Sequence, residues 1–505
     1  MRKSVFLTVV LMVLCVAAAA QDLASFEKRT TVKTLSNGLT VVLSRRPEAP
    51  VFSFFTIVDV GSVQDPREST GLAHMFEHMA FKGTDQIGSR NWPAEKAALE
   101  KVEHAYADYT YERHKPAGGD PKKVAELETA WKASIKEAQQ YVIPNQFDEI
   151  VESNGGVGVN ARTEVDDTAY FYSFPVNRLE LWAYLESQRF LHPVMREFYK
   201  ERDVVMEERR MRTDSEPIGR LIEQFQAAAF MAHPYHQPTI GWYSDLLTFS
   251  ATDAQRFFDR YYVPSNMVIG IVGDISPEQA MPIIEKYFGQ LPNRPKPEEF
   301  TTVEPPQDSE RQVVLREAAQ PFYVEGYHRP NYRDPDDAVF DAITDIMSNG
   351  RVSRLYRSLV RDKKIAAEAA GFTGLPGIKY PHLFAFYAVP TPGHTPKELA
   401  DAIHAEIDRL KSEYVSDEEL QMFKTRAKAD LIRSLSDNEG LATELATTQL
   451  RYGDWREMFR QLDEYDKVTK EDIRRVANKI FVPENRTVGI LETAPAAASA
   501  QGEAQ

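Results

Sequence analysis

Two stretches of this chain carry the same order of apolar and polar positions. From Thr252, TDAQRFFDRYYVPSNMVIGIV places apolar residues at helical spacing, then Val-Pro-x-Asn, then an apolar strand; from Glu471, EDIRRVANKIFVPENRTVGIL does the same. These copies lie 219 residues apart, whereas the strands that open the pattern, TVVL at Thr40 and QVVL at Gln312, lie 272 apart. The pattern predicts two copies of one unit, the first longer by the difference, 53 residues. The extra length falls where residues 92–141 become rich in Ala, Glu and Lys at helical spacing, broken at KPAGGDPKK. That reads as a helical hairpin inserted at about 90–145.

Within the first unit, TVKTLSNGLTVVL predicts a β-hairpin about Asn37-Gly38, and VFSFFTIVDVGS a buried strand. GLAHMFEHMAF predicts a helix that Ser69 or Thr70 would cap. Strands before and after a block of helices fit an α+β fold of two homologous αβ sandwich repeats better than alternating βαβ units. The repeats are expected at 27–292 and 311–492, joined by the proline- and charge-rich linker 293–310, with a disordered tail at 493–505.

A chain of 505 residues exceeds one ordinary core, in keeping with two domains. The net charge of −15 argues against nucleic acid as a partner, because binding phosphates needs a basic surface. The N-terminus changes the picture more. Arg2 and Lys3, an apolar run from Val5 to Val16, and Ala18-Ala19-Ala20 read as a cleaved export signal over 1–20. Cys15 is the single cysteine and falls within that segment, so the mature chain is expected to have neither disulfide nor catalytic thiol. No later stretch looks transmembrane, so no integral membrane segment is expected after cleavage.

The chemistry concentrates in GLAHMFEHMAFKGT, residues 71–84. On a helix His74 and His78, four apart, share a face and can hold one ion, with Glu77 beside them. Imidazole suits zinc, and two histidines with one carboxylate leave a coordination position for water. H-x-x-E-H is the inverted-zincin motif. A core helix packed through Leu72, Met75, Phe76 and Met79, with structural histidines, is the alternative. A third ligand is sought in YKERDVVMEERRM, where Glu201 and Glu208 are two turns apart on one face and Glu207 points roughly 100° away. A solvated acidic helix has the same pattern, and spacing does not choose between them.

Over residues 30–490 or so the chain resembles the pitrilysin/insulinase family of inverted-zincin metallopeptidases, which includes the mitochondrial processing peptidase. The resemblance rests on GLAHMFEHMAFKGT, on GGVGVNARTEVDDTAYFYSFP at 155–175, on ERDVVMEERRM, on HPYHQPTIG at His233 and on YYVPSNMVIGIVGD at Tyr261. It implies half of a clamshell, with His74, His78 and Glu208 binding one Zn2+ per chain, Glu77 as general base and Glu201 as a supporting acid. It further implies that Asn160 and Ala161 lie on the strand edge that receives a peptide substrate. The second repeat has no histidine pair in DDAVFDAITDIMSNG and is expected to be non-catalytic. Family members hold substrate with an arginine and a tyrosine seven residues later; here SRLYRSLVRDKKIAAE supplies Arg361, but position 368 is Glu. Family chambers are closed by four repeats, so a dimer is implied, with a different homologous subunit favoured over a second copy. The expectation is a zinc-dependent endopeptidase acting on peptides or unfolded segments in an enclosed chamber, exported and most simply periplasmic. Its rivals are a non-catalytic peptide-binding or scaffold subunit and a narrow-specificity processing peptidase.

Overall fold

The computed structural model describes residues 23–116 and 118–494; the expected signal segment and the tail from 495 lie outside them. Two sheets organise the chain. The first contains β1 (Thr30–Thr34), β2 (Thr40–Arg45), β3 (Val51–Val58), β4 (Val157–Thr163), β5 (Thr168–Pro175) and β6 (Met267–Gly273), in the spatial order β1-β2-β6-β3-β5-β4. The second contains β7 (Arg311–Glu317), β8 (Phe322–Arg329), β9 (Ala366–Leu375), β10 (His382–Pro390) and β11 (Arg486–Thr493), in the order β7-β11-β8-β10-β9. Without β1 the two orders are the same. Each sheet also has a single parallel pair, β2 with β6 and β7 with β11, among antiparallel neighbours. The repeat legible in the sequence is thus a repeat of topology, and the fold is α+β.

The helices used below are α1 (Leu72–Met79), α2 (Trp92–Arg113), α3 (Pro121–Gln139), α4 (Phe198–Arg209), α5 (Pro217–Ala229) and α6 (Ala251–Tyr261), followed by α7 (Asn438–Tyr452). Helices α2 and α3 pack on each other as the inserted hairpin. Asn91 and Asp120 cap them, their side chains accepting from Ala94 N and Lys122 N. At the predicted β-hairpin, Gly38 takes φ +94° and its Cα lies against Ser265, a place with no room for a Cβ.

The chain divides into two compact units, each discontinuous in sequence. The first comprises residues up to 204, 243–299 and 428–460; the second comprises 205–242, 300–427 and 461 onward. Helix α4 runs unbroken through residue 204. In the first unit β3 and β6 are buried along nearly their whole length, because helices cover both faces of the sheet. One face packs Phe52 and Phe54 on Trp182, which in turn meets Phe288. The other packs Phe55, Ile57, Val268 and Val272 against Leu441, Ala442, Leu445, Ala446 and Trp455. Helix α7, far along the chain, therefore completes the first sheet, and it comes so close that a Cβ on Gly270 would fall 2.3 Å from Ala442 O. The second unit mirrors this. Helix α5 lies on β7 and β11, and its Phe225 touches Gly326 and Gly489 on the sheet.

Candidate metal centre

Helix α1 begins at Gly71, whose φ of +93° is in the left-handed region that favours glycine. Neither Ser69 nor Thr70 caps it, contrary to the sequence reading. Thr70 instead donates through N and Oγ1 to Asp245. The cap comes from Asp65, whose carboxylate accepts from Gly71 N at 2.7 Å and Ala73 N at 2.9 Å. Asp65 is buried, and burial pushes its carboxyl up to about 8 against the effect of those two amides. Leu72, Ala73, Met75, Phe76 and Met79 are buried, with Phe76 stacked on Phe258 of α6. His74, Glu77 and His78 are half-buried. Apolar anchoring thus fixes one side of the helix and leaves the His-Glu-His side open to a ligand. The two imidazole rings lie 4.9 Å apart, nearly perpendicular.

Helix α4 brings the carboxylates. Ligand atoms of His74, His78 and Glu208 all lie within 4.8 Å of one another. A tetrahedral zinc ion at about 2.0–2.2 Å from nitrogen and oxygen ligands sets them about 3.3 Å apart, so side-chain adjustment of roughly an ångström closes the set. Two imidazoles and a carboxylate, half-buried and convergent, fit that metal in number, chemistry and spacing. Glu201 lies beside them: its Oε2 is 3.5 Å from His78 Nδ1 and its Oε1 2.5 Å from Lys82 Nζ. Burial works against its ionisation, yet His78 and Lys82 hold its carboxyl at about 2. A carboxylate on the outer nitrogen of a metal-binding histidine orients the ring and leaves Nε2 for the ion. Glu207 stands elsewhere, exposed and paired with Arg210. The helical phase that separated it from Glu201 and Glu208 in the sequence is what separates it in space.

Strand β4, the open edge of the first sheet, packs beside α1. Asn160 and Ala161 sit there opposite Phe171 and Tyr170, just past an irregularity in the pairing. Ala161 N donates to Asn160 Oδ1. Arg361 belongs to the second unit, where it is exposed and forks onto Asp362 at 2.6 and 3.0 Å. Glu368 lies on β9 and accepts from Tyr387 OH. The sequence reading missed Asp65 and Lys82. Lys82 was visible as a charge in the turn after α1, but nothing local connects it to Glu201, which lies more than a hundred residues on.

Family models match the chain in two places: the insulinase (peptidase family M16) model over residues 40–109, which include His74, Glu77 and His78, and the peptidase M16 inactive domain model over 248–427. Both models belong to the M16 peptidases, and over the residues that they match the chain is similar to the pitrilysin/insulinase family. It is 28% identical over 471 residues to the zinc protease PqqE of Helicobacter pylori, covering 91% of this chain and 92% of that one. A probable mitochondrial-processing peptidase subunit beta of Arabidopsis thaliana is 22% identical, with 92% of this chain and 78% of that one covered. The crystal structure of a protease from Helicobacter pylori superimposes with a TM-score of 0.76 at 26% identity, covering 92% of this chain and 99% of that one. No helix among the described residues is long and apolar enough to cross a membrane.

Proposed function

We propose that this chain is a zinc-dependent endopeptidase whose metal is held by His74, His78 and Glu208. The observation that carries the reading is the convergence of those three side chains from two helices. Relatives named as zinc proteases supply the metal and the reaction class. A bound zinc ion supplies Lewis acidity, polarising the scissile carbonyl and making water a better acid. Glu77 takes the proton of the attacking water as the new C–O bond forms. It returns that proton to the nitrogen as the C–N bond breaks, so that a carboxylic acid and an amine leave. The edge of β4 at Asn160 and Ala161 receives the peptide as an added strand, a mode that reads backbone and tolerates many sequences.

The second repeat contributes no metal site of its own. With Arg361 closed on Asp362 and Glu368 in the family's tyrosine position, the substrate-holding pair comes from a second chain, a different homologous subunit. Mass measurement in solution tests this, and an active homodimer overturns it. The chain acts after export, in the periplasm.

The decisive experiment is hydrolysis of a mixed pool of unstructured peptides by the mature chain, alone and with its co-purifying partner, beside Glu77→Gln. Expected is turnover that a chelator removes and zinc restores, and that falls at least about 100-fold in Glu77→Gln while zinc content stays the same. Retention of most activity in that variant removes Glu77 from the role of base.

A further inference from the structure

We propose that Lys82 and the buried Glu95–Arg196 pair position the metal ligand His78 through Glu201, so that the inserted hairpin is tied into the metal centre. The inference rests on the reading of His74, His78 and Glu208 as ligands. Its first link is the carboxylate of Glu201, which has two oxygens and two neighbours. Lys82 Nζ holds Oε1 at 2.5 Å, and this leaves Oε2 facing His78 Nδ1 at 3.5 Å. Without the lysine the carboxylate is free to rotate about its own axis and away from the ring. The lysine fixes the plane that orients the imidazole.

A lysine side chain has ample rotamer freedom, so it positions another group only if its own backbone is fixed. That is the work of Arg196. Its Nη1 donates to Lys82 O at 2.6 Å and to Ile87 O at 3.0 Å, and its Nη2 to Thr84 O at 3.0 Å. One guanidinium thus gathers three carbonyls of the turn that follows α1. The turn is shaped around it: Gly83 and Gly88 take φ of +86° and +94°, and a Cβ on them would fall 3.1 and 2.6 Å from Arg196 Nη1. Arg196 is 1% exposed and directly precedes the segment that becomes α4, the helix bearing Glu201.

The guanidinium is paired in turn. Glu95, fully buried in the first turn of α2, accepts from Arg196 Nε at 2.6 Å and Nη2 at 3.1 Å. The inserted hairpin therefore supplies the counter-charge for the residue that fixes the Lys82 turn. A buried pair of this kind costs desolvation and is retained where it fixes one arrangement. Here the arrangement fixed is that of α1, its following turn and α4, the three elements of the metal centre.

The test is zinc affinity, measured by competition with a chromophoric chelator, alongside the thermal midpoint of the chelated chain. Changes behind a metal-binding histidine typically cost about 10–100-fold in affinity. Lys82→Met is expected to weaken zinc binding about tenfold or more with the chelated midpoint unchanged, and Lys82→Arg to recover most of the loss. Because Lys82 acts through Glu201, the double variant Lys82→Met/Glu201→Gln is expected to bind zinc no more weakly than Glu201→Gln alone. Glu95→Gln, which keeps the shape of the buried acid, is expected to shift affinity in the same direction by a smaller factor. Parental affinity in Lys82→Met, a lowered midpoint of its chelated form, or additive losses in the double variant overturns the proposal; parental affinity in Glu95→Gln overturns the hairpin's part in it. A parental chain that binds no zinc, or that keeps it in His74→Ala, overturns the metal reading itself.

Discussion

At the scale of single residues, adjacent carboxylates on α4 have opposite fates. Each pairs with an arginine about one turn on, Glu207 with Arg210 and Glu208 Oε1 with Arg212 Nη1 at 2.8 Å, but Glu208 alone also lies within 4.8 Å of the histidines. Glu208→Gln is expected to lower zinc affinity and peptide hydrolysis by at least tenfold each, since a ligand is lost. Glu207→Gln is expected to leave both within twofold and the thermal midpoint unchanged, as for an exposed pair. Metal titration and turnover of the two variants side by side check this, and equal losses contradict the assignment of faces. Helical phase set His74 with Glu77 and His78 on one helix and Glu201 with Glu208 on another, but it was the family resemblance, and not spacing, that joined the two helices into one candidate site. Asp65, Lys82 and Arg196 were not, because each acts on a backbone or carboxylate brought near by folding.

Elements were predicted better than their ends. The hairpin at Asn37-Gly38, the buried strand β3 and the inserted helices follow from period and turn residues. The start of α1 does not. Ser69 and Thr70 have the right side chains, but the left-handed Gly71 intervenes, and a carboxylate several residues upstream takes the amides. The second unit carries a comparable hidden link. Glu419 forks onto Arg354 at 2.8 and 2.9 Å and accepts from Ser416 N. Burial of the carboxyl opposes its charge, but these donors win and hold it at about 2, below the ordinary 4.5. A folded-state value below the unfolded one stabilises the protein fully above about pH 4.5, and that contribution is lost as pH falls toward 2. The difference corresponds to at most about 3 kcal/mol. Glu419→Gln is expected to lower stability near neutrality by about 1–3 kcal/mol and to flatten the loss between pH 4.5 and 2, as read from denaturant midpoints across pH. An unchanged slope between those values means that the pair carries no linkage.

At the scale of the whole chain, the repeat was legible and the exchange of helices was not. Apolar period does not say which sheet receives the faces of α5 and α7. Leu441, Leu445, Trp455 and Met458 are all buried in the core of the first sheet. At about 1.5–3 kcal/mol for each large apolar side chain, they account for roughly 6–12 kcal/mol, as much as the net stability of many domains. A fragment of residues 23–299 is therefore expected to lack cooperative melting and to aggregate, and to gain a defined melting transition when residues 428–460 are supplied with it. Calorimetry and soluble yield read this out; a cooperative melt of the fragment alone shows that α7 is dispensable.

The exchange also orders the life of a nascent chain. Once β6 leaves the ribosome, the first sheet has all its strands, yet Phe55, Ile57, Val268 and Val272 still face water. Their cover begins at Asn438, about 165 residues after Gly273. At ~5–20 residues per second this wait lasts roughly 10–30 s. Through that interval the half-clad sheet offers a sticky apolar face to every other chain nearby, and whatever shields it must remain bound until the helix at Asn438–Tyr452 has been made.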